Sequence, residues 1–182
     1  MAPGEPAVAR VTRQFRASPQ RVFDAWLDPE KVKIWWRGAA AAAGRGATET
    51  IEAVTIDPRI GGRFSILVRR EGKLLDHTGT YLEIARPRRL VFTWSAMDLK
   101  EDGSPREAAA EGSAADSRVI IDVVPLPAGC DVTLSHEMQP EWRDFVDRGV
   151  RAWTFMLEAI DDTLGSEVGA RRSEIGDEAR RS

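Results

Sequence analysis

PEWRDFVDRGVRAWTFMLEAIDDTL, residues 140–164, is the one stretch of this chain with a long helical period. Its apolar residues are Trp142, Phe145, Val146, Val150, Trp153, Met156, Leu157, Ile160 and Leu164, spaced by threes and fours, which puts them on one side of an α-helix. Pro140 suits the first turn and Gly165 the position just past the end, so the pattern predicts one amphipathic helix from Pro140 to about Leu164. A single apolar stripe of that length needs a broad surface to cover it, and the rest of the chain supplies strands.

Residues 8–15, VARVTRQF, alternate apolar and polar, a strand signature. Ser18-Pro19 and Asp28-Pro29 each pair an N-capping residue with a proline suited to the first helical turn, predicting two short helices in tandem. Residues 37–49, RGAAAAAGRGATE, read as a loop, since the alanines have no evident cap. Strands are then expected at 50–57, 63–70, 74–85, 90–97, 117–126 and 130–138, separated by Gly- and Pro-bearing turns. Such close spacing means antiparallel hairpins. Residues 98–116, acidic and rich in small residues, read as a mobile hairpin loop. Residues 1–7 and 166–182 read as a flexible tail and a disordered tail. The order is strand, two short helices, six strands, long helix. This predicts an α+β fold with a curved antiparallel sheet of six to seven strands around the terminal helix.

Composition sets the outer bounds. With 182 residues, 42% hydrophobic and 30% charged, the chain fits one globular domain, expected at 8–165. A net charge of −3 without a concentrated basic stretch argues against nucleic acid and anionic membranes. Arg70, Arg88 and Arg89 read as solvated strand ends. No apolar run is long enough for membrane insertion or a signal peptide, and the lone Cys130 cannot form an internal disulfide, so a cytoplasmic location is expected.

Trp35 and Trp36 stand side by side on the second short helix, about 100° apart around its axis. Both cannot face one flat core. The reading is that one indole anchors the helix in the core and the other closes a space beside it, with simple core packing of both as the alternative.

Several blocks together resemble a known family: SPQRVFDAWLDPEKVKIWW (18–36), PRIGGRF (58–64), HTGTYLEIARPRRLVFTW (77–94) and AWTFMLEAIDDTL (152–164). In this order they are similar to the START-like (SRPBCC) helix-grip superfamily, which also holds birch-pollen-allergen-like proteins and polyketide cyclases. Within it, the chain resembles the group named after the C-terminal domain of the Hsp90 ATPase activator. Members often carry glycine before the tryptophan of the last helix; here Ala152 precedes Trp153 and Gly149 lies a turn earlier. The resemblance implies a helix-grip fold with a cavity between the long helix and the sheet. Gly149, placed among Trp142, Phe145 and Trp153, is read as leaving space there.

The chemistry legible in the residues is sparse. The chain has two histidines and one cysteine. Cys130 and His136 share a strand face but stand roughly 20 Å apart, too far to share an ion, so no metal site and no cofactor is expected. Ser135-His136 and Asp76-His77 are adjacent on strands and point to opposite faces, so neither pair is a dyad. His136 shares the apolar face of Val132 and Leu134, as either an acid–base group or a satisfied core histidine. His77, before Thr78-Gly79, fits either the cavity wall or the exposed start of its strand; it shares parity with Tyr81 and Glu83, and the charge of Glu83 makes that face read as solvated.

The function expected is therefore binding of a small hydrophobic molecule (aromatic, polyketide-like or lipid-like) by Trp36, Phe64, Ile66, Phe92, Trp94, His136, Trp142, Phe145, Val146 and Trp153. A homodimer is compatible with this. One alternative is a cyclase or dehydratase using His136 or His77 as its acid–base group. Another, implied by the resemblance alone, is an Hsp90-type chaperone-regulating module. It is disfavoured because the Hsp90 activators carry an additional N-terminal domain for which there is no room before residue 8.

Overall fold

A computed structural model describes residues 4–106 and 117–180. Its strands are β1 (Ala7–Phe15), β2 (Glu49–Ile56), β3 (Arg63–Arg70), β4 (Lys73–Ala85), β5 (Arg89–Leu99), β6 (Ser117–Pro125) and β7 (Cys130–Met138). They form one seven-stranded sheet in the order β1-β7-β6-β5-β4-β3-β2, every pair antiparallel. Strands β2 to β7 are a meander. Only β1 pairs out of sequence, against β7 from Ala7↔Met138 to Phe15↔Cys130. The chain must therefore pass from one sheet edge to the other between β1 and β2, and two helices make that crossing.

Helix α1 (Pro19–Ala25) is capped by Ser18, whose side chain accepts from the Arg21 N–H. Helix α2 (Pro29–Ala42) is capped by Asp28, which accepts from the Glu30 N–H at 2.9 Å. The expected loop at 37–49 is thus half wrong. Alanine is the best helix former, and α2 continues through the alanines to Ala42. Its end is a Schellman cap: the Arg45 N–H bonds to the Ala40 carbonyl and the Gly44 N–H to the Ala41 carbonyl, with Gly44 at φ 76°.

The terminal helix also differs from expectation at both ends. Residues Pro140–Phe145 form a 3-10 turn in which Trp142 has non-helical angles, so α3 begins at Val146. At the far end α3 runs to Arg180, past Gly165 and through the segment expected to be disordered. One glycine costs a helix about 1 kcal/mol, too little to end it alone. Arg21 also binds the Leu164 carbonyl and, with Lys31, the Glu167 carboxylate, bracketing Gly165. The expected mobile loop at 98–116 falls largely on residues 107–116, outside the described residues.

The main core lies between the sheet and the helices, with Phe15, Phe23, Leu90, Ile121, Leu134, Leu157 and Ile160 fully enclosed. A second small cluster joins Ala7, Ala9 and Met138 to Trp142, Val146 and Val150. Here α3 comes very close to β1: a Cβ on Gly149 would stand 3.1 Å from the Ala9 Cβ. Gly149 thus permits close approach of helix and strand, which its reading as a spacer among aromatics did not anticipate. A bulge between Tyr81 and Glu83 resets the alternation of β4. Tyr81 consequently packs inside while Glu83 pairs with Arg89, so the expected solvated face of His77, Tyr81 and Glu83 does not exist.

Candidate functional site

Between the 3-10 turn, the first turns of α3 and the sheet lies a hollow of about 660 Å³. Four of the chain's six tryptophans line it: Trp36 from α2, Trp94 from β5, Trp142 from the 3-10 turn and Trp153 from α3. Met156 and Phe145 add to the apolar wall.

The rings form a continuous chain. His77 lies 4.8 Å from Trp36 and 5.6 Å from Trp94, centroid to centroid. Trp94 meets Trp153 at 5.1 Å, and Trp153 meets His136 edge-on at 5.7 Å. Trp142 and Phe145 pack on each other at 4.7 Å, with Phe145 largely exposed. The neighbouring indoles of α2 divide their work. Trp35 donates to the Ala25 carbonyl at 2.9 Å and ties α2 to α1. Trp36 donates to Glu49 Oε1 at 2.7 Å and faces the hollow.

Both histidines stand on the wall. His136 is buried, and its Nδ1 accepts from the Trp153 indole N–H at 3.2 Å. An accepting Nδ1 places the proton of the neutral ring on Nε2, which has no partner among the described residues. Neither ring nitrogen of His77 has one, though both are shielded from solvent. Burial holds the pKa of each imidazole down to about 4; for His77 the nearby charges of Arg70 and Arg45 add to this. Both rings are therefore neutral at pH 7. They lie on β4 and β7, three strand spacings or about 14 Å apart, so they cannot share one proton.

A charged cluster borders the hollow. Glu49 has its side chain almost fully enclosed and accepts from Trp36, from Arg45 Nε at 3.0 Å and from Arg70 Nε at 2.5 Å. Burial pushes its carboxyl up, but the hydrogen bonds from Arg70, Trp36 and Arg45 outweigh this and hold it below the usual carboxylate range. Arg70, expected to be a solvated strand end, is instead a partner of a buried carboxylate and a wall residue.

Of the residues expected to bind, Trp36, Trp94, His136, Trp142, Phe145 and Trp153 line the hollow together, as does His77. Phe64, Ile66 and Phe92 do not. They surround a separate void of about 20 Å³, roughly the room for one water, and are core packing. Val146 turns toward the cluster of Ala7, Ala9 and Met138. Arg45, Arg148, Gln139 and Met156 belong to the wall and were not anticipated. One signal could have pointed to the charged cluster: Glu49 has the parity of Ile51, so a carboxylate begins the inward row of β2.

Among the described residues no cluster of ligating side chains could hold a metal ion. Cys130 is buried, its thiol pushed up by burial and by Asp131 and Asp161. No described helix is long and apolar enough to cross a membrane.

The family model described as "Activator of Hsp90 ATPase homolog 1-like protein" matches residues 16–165. The chain belongs to this family. Solved structures share the AHSA1-like fold. A protein from Nitrosomonas europaea is 20% identical with a TM-score of 0.67, covering 88% of this chain and 96% of its own. One from Rhodobacter sphaeroides is 20% identical with a TM-score of 0.66, covering 88% and 93%. An AHSA1-like protein from Aeromonas hydrophila is 17% identical with a TM-score of 0.63, covering 88% and 93%. At these identities the likeness extends to the fold alone. No curated protein matches the sequence.

Proposed function

We propose that this AHSA1-like chain binds a small hydrophobic molecule, aromatic, polyketide-like or lipid-like, in the hollow between α3 and the sheet. The observation that carries the reading is the wall itself. Four indoles surround a space of about 660 Å³, and the same wall holds two neutral imidazoles with unpartnered ring nitrogens. A drug-sized ligand needs a site of roughly 300–1,000 Å³, mostly apolar, with a few polar groups to orient it.

The test is native mass spectrometry of protein purified from its own host, joined to titration with the neutral fluorescent probe N-phenylnaphthylamine. A co-purifying small molecule, and a probe displaced by it, are expected. Protein that arrives empty and leaves the probe's emission unchanged would sink the reading.

The cyclase or dehydratase reading is supported by the position of His136 on the wall. It is the weaker one. Among the described residues neither histidine has a carboxylate or hydroxyl within hydrogen-bond reach to orient it, and a base with a pKa near 4 is poorly matched to neutral pH. The chaperone-regulating reading draws on the family's description only; recovery of a stoichiometric Hsp90 in a pull-down would favour it.

A further inference from the structure

The wall of the hollow is charged against the rest of the chain. The protein carries a formal net charge of −3, yet Arg45, Arg70 and Arg148 line this space and, among the described residues, no aspartate or glutamate does. Arg148 lies over the Phe145 ring at 5.2 Å, on the exposed 3-10 side. Arg45 and Arg70 are different. They come from separate elements and converge on the same oxygen of Glu49, each through its Nε. Among the described residues nothing pairs with the terminal nitrogens of either guanidinium. Two guanidinium groups against one carboxylate leave a net positive charge beside an apolar space. His77 packs beside them against Trp36 with both ring nitrogens shielded, so the surplus charge rests on the arginines.

We infer that the molecule bound in the hollow carries one carboxylate at the end of an apolar body, held by the free edges of Arg45 and Arg70. This rests on the ligand-binding reading above. Glu49 acts as a positioning residue: by engaging both Nε atoms it fixes the two guanidinium planes while leaving their outer nitrogens available. The fork of a guanidinium matches a carboxylate edge to edge. A doubly charged phosphate fits less well, because the cluster has one surplus positive charge.

The experiment compares matched pairs of probes on the full chain: anthracene carboxylate with anthracene methanol, and dodecanoate with dodecanol, read by tryptophan quenching and calorimetry. In each pair the acid is expected to bind at least about tenfold tighter, the size of one charge-assisted contact at a partly exposed site. Raising sodium chloride from about 0.05 to about 0.5 M should shrink that preference. Arg45→Gln, which leaves Arg70 on Glu49, should cut it to about threefold or less. Arg69→Gln, whose native side chain pairs with Glu52 and Glu101, should leave it unchanged. If Arg45→Gln does not fold, the native preference and its salt dependence decide the question. Alcohols that bind as tightly as the acids, or a preference indifferent to salt, would overturn the inference while the apolar hollow stood as a binding site. Failure of all four probes to bind would overturn both readings.

Discussion

Trp153 donates its indole N–H to Nδ1 of His136 across 3.2 Å, joining α3 to β7 at the wall of the hollow. The bond selects one tautomer, with the proton on Nε2. Long-range proton–nitrogen spectra should show His136 as this tautomer at pH 7, titrating only near pH 4. Trp153→Phe removes the donor, and the tautomer should then become mixed. A His136 that titrates near pH 6.5 in the native protein would contradict the buried geometry.

The two histidines make stability depend on pH in a defined direction. In the unfolded chain each binds a proton near pH 6.5; folded, each resists it until about pH 4. The unfolded state therefore holds more protons through that window, and stability falls as the pH drops from about 6.5 to about 4. The loss is on the order of 3 kcal/mol for the buried His136 ring and smaller for His77, whose residue is half-buried. His77→Phe keeps an aromatic ring against Trp36 and Trp94 and removes one of the two titrations. Denaturant unfolding at pH 7 and pH 5 should give the variant a visibly flatter dependence than the native chain; equal slopes would be the contrary result.

Glu49 is the single acceptor shared by Trp36, Arg45 and Arg70. Glu49→Ala strands two cations and an indole N–H at once and is expected to cost about 3 kcal/mol in urea unfolding. Glu49→Gln retains an acceptor and should cost less. Because its carboxyl is held below the usual range, the contribution of Glu49 is present at neutral pH and is lost as the pH falls below about 4.5, a lower window than that of the histidines.

Period and parity carried most of the fold. Alternation located the first strand and Gly- and Pro-bearing turns bounded the other six, while Ser18-Pro19 and Asp28-Pro29 marked both short helices. What failed were features set by contacts distant in sequence or by a shift of one residue. The bulge at Tyr81/Glu83 reverses parity, so Glu83 wrongly made the His77 face look wet. Trp142 and Phe145 follow the helical spacing but sit in a 3-10 turn that the proline at 140 does not distinguish from a helix start. In the site, the aromatic wall was legible as bulky apolar residues on inward faces. Which of those residues border the hollow was not: Phe64, Ile66 and Phe92 share that inward pattern and border only a void of about 20 Å³. Glu49 and Arg70 meet only because β2 pairs with β3, 21 positions apart in sequence.

Gly44 is where local chemistry overrode the loop reading. At φ 76° it closes α2 in a conformation that costs other residues energy. Nothing stands within 4 Å of a Cβ built there, so Gly44→Ala tests backbone strain alone. The substitution should lower unfolding free energy by about 1 kcal/mol and shift α2 and Trp36 slightly. An unchanged midpoint would mean that the cap contributes little.

Ala152 offers the most direct test of the hollow itself. It lines the space from α3 yet is exposed, so a larger side chain there displaces no core atom. Ala152→Trp should fill the entrance and weaken binding of N-phenylnaphthylamine at least about tenfold, since one indole removes much of the contact area available to an apolar guest. The helix penalty is small, about 0.5 kcal/mol for tryptophan in place of alanine, so unfolding should change by less than about 1 kcal/mol. Arg151→Trp, one position along and off the wall, controls for a surface indole and should leave affinity as it was. If both variants bind the probe as the native chain does, the probe sits elsewhere and the hollow is not its site; if both lose binding equally, the effect belongs to the helix surface and not to the space beneath it.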